Sequence, residues 1–203
     1  MRKNFLIFGN PAIEQPEIDE VVDSLKSGWL GTGPKVRRFE EMFKNYKGTK
    51  HAVAVNSCTA ALHLSMSALG IGPGDEVLVP TMTFAATANA VIHSGGIPVL
   101  VDCRRQTMNI DIEDIKRKIT PRTKAVIPIH FAGRPCEMDE LVELSRKSGI
   151  KIIEDCAHAV EAEYKGRKIG TIGEMGCFSF YVTKNIVTGE GGMIISDEIN
   201  YVN

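Results

Sequence analysis

Short apolar runs alternate with segments of helical periodicity along most of this chain, and that alternation restricts it to one fold class. Residues 51–55, 76–79, 97–101, 124–129 and 150–153 read as strands. Between and before them the spacing is helical. Ile18, Val21, Val22 and Leu25 precede Gly28, and Val36, Phe39, Phe43 and Tyr46 precede Gly48. Thr59 opens a helix with Leu62, Met66 and Leu69 on its apolar face, closed by Gly70. Helices are also predicted over 85–94, 111–119 and 139–147, each followed by turn or strand residues. Strands separated by crossover helices predict a mostly parallel α/β sheet with helices on both faces. Runs this uniformly apolar are expected to be buried on both sides. Beyond residue 155 the helices stop, and 177–181 and 193–196 read as two further strands joined by a glycine-rich turn.

Composition narrows the function classes. The 203 residues carry 24 Lys plus Arg against 25 Asp plus Glu, a net charge of −1. A broad nucleic-acid surface would need a basic excess. No apolar run approaches the ~20 residues of a membrane span, and residues 5–8 are too few for a signal-peptide core. Five scattered cysteines, Cys58, Cys103, Cys136, Cys156 and Cys177, form no CxxC pair. They fit small core residues in a reducing cytoplasm better than a disulfide or zinc framework.

Ligands of open parallel sheets bind beyond the carboxyl ends of the strands. That rule selects four groups. Ser57-Cys58-Thr59-Ala60 lies where a strand becomes a helix, and a helix start with hydroxyls suits a phosphate or simply caps itself. Asp155 ends an apolar strand, where a carboxylate needs a hydrogen-bonding or cationic partner. His158 follows three residues on, and no further ligands at metal-site spacing accompany the two. Lys184 comes just after an apolar strand and before Gly189-Glu190-Gly191-Gly192. A lysine buried there loses proton affinity and becomes a nucleophilic amine. Phe84 follows the second strand and could stack on a planar ring. Each feature alone has an ordinary structural explanation. Together, a phosphate seat, a carboxylate for a ring nitrogen, an aromatic face and an aldehyde-reactive amine fit pyridoxal 5'-phosphate.

The same segments carry a resemblance. Residues 27–34, 59–64 and 72–77, the stretch Thr83-Phe84-Ala85-Ala86-Thr87-Ala88-Asn89, residues 123–130, Glu154-Asp155-Cys156-Ala157-His158-Ala159, and residues 178–192 all take part. In that order they resemble the DegT/DnrJ/StrS family of nucleotide-sugar aminotransferases. The resemblance implies the large domain of a fold-type I aminotransferase. It implies that Lys184 holds the cofactor aldehyde, Asp155 binds the pyridine nitrogen, Ser179 with Cys58, Thr59 and Ala60 holds the phosphate, Phe84 stacks on the ring and His158 lies near the ring hydroxyl. It also implies an amino donor, glutamate by precedent, a keto-sugar nucleotide acceptor, and a homodimer at full length. The aminotransferases that form 4-amino-4-deoxy-arabinose on a uridine nucleotide are similar around Ala157-His158-Ala159 and His130-Phe131-Ala132-Gly133.

Cys58 departs from the family, which has a small Gly or Ala there. Family members also run to nearly twice 203 residues. Residues 1–203 therefore read as an N-terminal segment and an incomplete large domain, with the C-terminal small domain absent. Two rivals follow, a remnant that binds cofactor or a partner without turnover, and a dinucleotide-dependent oxidoreductase. The second lacks a GxGxxG after its first strand.

Overall fold

The computed structural model describes residues 9–201, so the apolar stretch at 5–8 lies outside the described residues. Helices α1 (Gln15–Ser27) and α2 (Pro34–Lys47) come first, each with proline in its first turn and a left-handed glycine, Gly28 or Gly48, at its end. There follow β1 (His51–Val55), α3 (Cys58–Ala68), β2 (Glu76–Pro80), α4 (Ala86–His93), β3 (Ile97–Val101), α5 (Ile112–Lys118) and β4 (Thr123–Val126). The chain continues through α6 (Met138–Ser148), β5 (Lys151–Asp155), a hairpin of β6 (Glu163–Tyr164) and β7 (Arg167–Lys168), then β8 (Met175–Ser179) and β9 (Gly192–Ser196).

Seven strands form one sheet in the order β1-β9-β8-β5-β4-β2-β3. All run the same way except β9, which is antiparallel to both β1 and β8. The mostly parallel sheet is the expected fold class. Its edges differ from expectation. The first strand does not neighbour the second but lies at the far edge, joined to the rest through β9. Edge strands β1 and β3 are not buried on both sides: β1 is half-buried throughout, and Leu100 of β3 is 53% exposed. An apolar run therefore does not distinguish a central strand from an edge strand that lacks a cover.

Alternation along the strands feeds two cores. Leu78, Ile152, Phe178, Met193 and Ile195 join Phe43 of α2, Ile112 and Ile115 of α5 and Met138 and Leu141 of α6. Val77, Val79, Ile153, Cys177 and Ile194 join Ala61, Leu62 and Met66 of α3 and Ala90 and Val91 of α4. Each central strand thus sends successive side chains to opposite faces, and each buried Leu, Ile or Phe contributes about 1.5–3 kcal/mol of burial energy. Helix α1 buries none of its residues. Its apolar Ile18, Val21 and Leu25 are exposed, while Lys35 of α2 pairs with its Glu20 and Asp23.

Three local boundaries move. Ser57, not Thr59, opens α3: its Oγ accepts the Ala60 N–H at 3.1 Å and Cys58 is the first helical residue. The fourth strand stops at Val126, and only an isolated bridge from Ile129 to Asp155 continues it. The strand expected at 177–181 is Met175–Ser179, which puts Ser179 at its last position. The β6–β7 hairpin has no hydrophobic alternation. It is set by a turn in which Lys165 (φ 51°) and Gly166 (φ 79°) are both left-handed.

Candidate active site

The carboxyl ends of β1, β2, β5 and β8 open on one cavity of about 570 Å³. Its walls include Ser57, Cys58 and Thr59 after β1, Thr83, Phe84 and Thr87 after β2, Asp155 and His158 at the end of β5, and Ser179 and Lys184 from β8 and its following loop. Every candidate named from the sequence lines it except Ala60, whose N–H is engaged by Ser57 Oγ. Two smaller cavities of about 300 and 320 Å³, which share Val142, Arg146 and Ile172, lie apart from these residues.

Strand β9 explains how residues from β1 and β8 come together. Gly192 is paired with Val55 on one side and Ser179 on the other. A Cβ on Gly192 would lie 2.5 Å from the Ser57 carbonyl carbon and 2.7 Å from Cys58 N, so only glycine lets the start of α3 rest on this strand. The amides of Cys58 and Thr59, which precede the capped Ala60, have no acceptor among the described residues, and Ser57, Thr59 and Ser179 line the cavity beside them. That arrangement is an anion seat.

Asp155 is buried. Its Oδ1 accepts the Ala157 N–H at 3.1 Å and its Oδ2 accepts the Thr87 hydroxyl at 3.1 Å. No lysine or arginine pairs with it among the described residues. Burial pushes its carboxyl above the ordinary value of 3.8, against the pull of those two hydrogen bonds and of His130 and His158. Among the described residues such a group lacks a cation. The imidazole of His158 is held below its ordinary range by desolvation and by the charge of Lys184, so it enters the cavity neutral. Desolvation and the charge of Asp155 push the Cys58 thiol well up, so it too is neutral. Lys184 Nζ makes no ion pair or side-chain hydrogen bond among the described residues. Phe84, 81% exposed, stands at the mouth.

Several neighbours went unseen in the sequence. Thr83 and Thr87 touch through their hydroxyls at 2.7 Å, and their four-residue spacing at a helix start was the available signal. Glu154 is fully buried beside Asp155 but on the opposite face. It accepts the N–H groups of Gly170, Ile172 and Gly173 at 2.7–2.9 Å and contacts His130 Nε2 at 3.1 Å. The Cys136 N–H donates to His130 Nδ1, so Nε2 carries the proton and donates to Glu154. Burial drives the Glu154 carboxyl up, but His130 and the Gly173 and Gly170 amides outweigh it, and it is held below its ordinary range. His130, Glu154 and Cys156 lie within metal-ligand distance of one another. Both His130 ring nitrogens and both Glu154 oxygens are already engaged, and the Cys156 thiol donates to the Glu154 carbonyl, so the cluster is a hydrogen-bonded knot.

Known proteins resemble the chain in sequence and in fold. The DegT/DnrJ/EryC1/StrS aminotransferase family profile matches residues 11–202. The chain is 54% identical over 197 residues to the uncharacterized protein MJ1066 of Methanocaldococcus jannaschii, covering 97% of this chain and 51% of that one. It is 52% identical over 197 residues to the spore coat polysaccharide biosynthesis protein SpsC of Bacillus subtilis, with the same coverage of 97% and 51%. A Streptococcus pneumoniae structure described as a sugar aminotransferase, Spr1654, in its PLP form, superposes with a TM-score of 0.93 at 38% identity, over 98% of this chain and 54% of that one. The chain spans about half the length of the relatives it matches.

Proposed function

The chain belongs to the DegT/DnrJ/EryC1/StrS aminotransferase family, and we propose that it supplies the cofactor-binding part of a pyridoxal-phosphate-dependent enzyme. That enzyme moves an amino group, with glutamate as donor, onto a keto-sugar nucleotide in polysaccharide or amino-sugar biosynthesis. The observation that carries this reading is the convergence of Lys184, Asp155, the α3 start and Ser179 on one cavity. The donor set fits the group. Among the described residues, a buried carboxylate without a cationic partner suits a protonated ring nitrogen, the amides of Cys58 and Thr59 ahead of the capped Ala60 suit a phosphate, and a lysine free of ion pairs suits an aldehyde.

When bound, pyridoxal phosphate supplies an aldehyde carbon for amines and a ring that accepts the electrons of a broken C–H bond. The chain's own residues do the rest. Ser57, Thr59 and Ser179, with the amides of α3, hold the phosphate. Asp155 keeps the ring nitrogen protonated by a charge-assisted hydrogen bond. Phe84 would stack on the ring, and the neutral His158 would be a hydrogen-bond partner for the ring hydroxyl. Lys184 Nζ would hold the aldehyde and would serve as the base for a proton of the amino donor's α-carbon. The whole protein works as a homodimer in this reading. The exposed Met82, two residues before Phe84 of the cavity wall, suits burial against a second chain.

Borohydride reduction in the presence of pyridoxal phosphate tests the assignment. The adduct is expected on Lys184 and lost in Lys184→Ala. An adduct on a different lysine overturns it. Bleaching of the bound-cofactor absorbance by glutamate separates amino transfer from binding without turnover.

A further inference from the structure

The Asp155 carboxylate belongs to a longer chain of contacts. Thr87 Oγ1 lies 3.1 Å from Asp155 Oδ2 and 2.7 Å from Thr83 Oγ1, and Thr83 Oγ1 lies 3.1 Å from the Phe84 carbonyl oxygen. The three contacts run end to end. A threonine hydroxyl carries one proton, so the protons can be counted. With Asp155 ionised, two hydroxyl protons serve three contacts. Thr87 gives its proton to the carboxylate and Thr83 gives its own to Thr87. The Phe84 carbonyl then keeps only the Thr87 N–H, at 3.0 Å. With Asp155 neutral and its proton on Oδ2, three protons serve three contacts. Asp155 donates to Thr87, Thr87 to Thr83, and Thr83 to the Phe84 carbonyl. Two links reverse and the third, to the Phe84 carbonyl, is made at the same time.

We propose that Thr87 and Thr83 form a hydroxyl relay that orients the Asp155 carboxylate toward the ring nitrogen and carries its charge state to the backbone at Phe84. Thr87 is the positioning residue. It is almost wholly buried, so water cannot take over its hydroxyl. With the Ala157 N–H on Oδ1 and Thr87 on Oδ2, both oxygens are fixed. A donor aimed at the charged form favours that form, as a partner for a cationic ring requires. The far end of the relay is the segment whose ring stands at the cavity mouth. Switching is cheap there, because the Phe84 carbonyl retains one N–H in either state. Other groups act on the same carboxylate. His130 and His158 favour its charge, the thiols of Cys58 and Cys177 and, from the opposite face of the sheet, of Cys156 are pushed up by burial and by that charge, and Lys184 lines the same cavity. The orientation toward a ring nitrogen rests on the function proposed above. The relay itself does not.

The test is a pH titration of the cofactor-free chain, with ¹³C NMR of the Asp155 carboxyl and the Phe84 carbonyl. In Thr87→Val the proton affinity of Asp155 is expected to rise about tenfold, the weight of one hydrogen bond to a charged group. Thr87→Ser, which keeps the hydroxyl, restores the original midpoint. In the unsubstituted chain the Phe84 carbonyl shows a step at the Asp155 midpoint, and Thr87→Val removes that step. A midpoint unmoved by Thr87→Val, a failure of Thr87→Ser to restore it, or a Phe84 carbonyl that ignores Asp155 overturns the relay. A second arm loads ¹⁵N-labelled pyridoxal phosphate and follows ring-nitrogen protonation, which Asp155→Asn is expected to abolish. A ring nitrogen still protonated in that variant overturns the role of Asp155 toward the cofactor, while the first arm alone decides the relay.

Discussion

Glu154 and Asp155 are consecutive, both buried, both acidic, and opposite in every other respect. Strand alternation sends Glu154 to the face packed by α2, α5 and α6, and Asp155 to the face packed by α3 and α4. On the first face Glu154 accepts from His130 and three backbone amides, and its carboxyl is held low. On the second, Asp155 accepts only two hydrogen bonds among the described residues, opens on a cavity, and its carboxyl is pushed up by burial. A buried charge that is fully satisfied organises structure. One left short of partners awaits a ligand. The pair shows that burial alone does not distinguish these cases, and that counting donors does.

The largest expected effect is on the structural side. Glu154→Gln replaces an acceptor-only group with one that presents an N–H₂ to a ring of donors. Unfolding in urea should show a loss of about 3 kcal/mol, from an unmade buried hydrogen bond and a lost charge. A loss as small as that of a surface substitution would break the comparison. Gly170→Ala acts on the same knot from the loop. Gly170 has φ +92°, and a Cβ there would lie 2.5 Å from the Phe178 ring. Strain and overpacking together should cost about 2–3 kcal/mol in the same assay.

The two carboxylates should also pull the pH dependence of stability in opposite directions. The folded value of Glu154 is lowered, so its contribution is present above the ordinary 4.5 and is lost as pH falls through the folded value. The folded value of Asp155 is raised, so its contribution is present below the ordinary 3.8 and is lost as pH rises through the folded value. Unfolding free energies measured from pH 3 to 7 should therefore show the deficit of Glu154→Gln growing with pH, by about 1.4 kcal/mol for each tenfold difference in proton affinity between the folded and unfolded chain. Asp155→Asn should gain on the unsubstituted chain over the same range. Parallel curves for the two variants would contradict the opposite shifts.

How much of this was legible follows the same division. The cavity side could be read because a general rule, ligands beyond the carboxyl ends of parallel strands, picks out positions along the chain. Ser57, Phe84, Asp155, His158 and Lys184 each follow an apolar run. The structural side could not. The partners of Glu154 come from residues 130 and 170–173, brought together by a loop and a glycine turn with no hydrophobic periodicity. Strand β9 was expected as a strand, but nothing in its residues announces that it runs backward between β1 and β8. Gly192 was the only trace, a glycine where the ladder brings Val55 and Ser179 against one backbone. The hydroxyls of Thr83 and Thr87 sat in plain view at helical spacing. Their significance depends on Asp155 lying 68 residues away in sequence and 3.1 Å away in space.

The smallest effect on stability is expected where the effect on cofactor binding is large. Asp155→Asn keeps the shape and leaves an oxygen to accept from Thr87 or Ala157. It removes a charge that burial disfavours. Near pH 7 the variant should be as stable as the unsubstituted chain or slightly more so, by less than about 1 kcal/mol, as happens when a site residue held at a cost to stability is neutralised. The same variant should bind pyridoxal phosphate roughly ten- to a hundredfold more weakly, since a hydrogen bond to a charged group contributes about 1.5–3 kcal/mol. Urea unfolding and cofactor titration on one preparation decide the matter. If Asp155→Asn destabilised the fold as much as Glu154→Gln, Asp155 would be another structural carboxylate. A stable fold with unimpaired cofactor affinity would leave the cavity without the charge partner that its geometry invites.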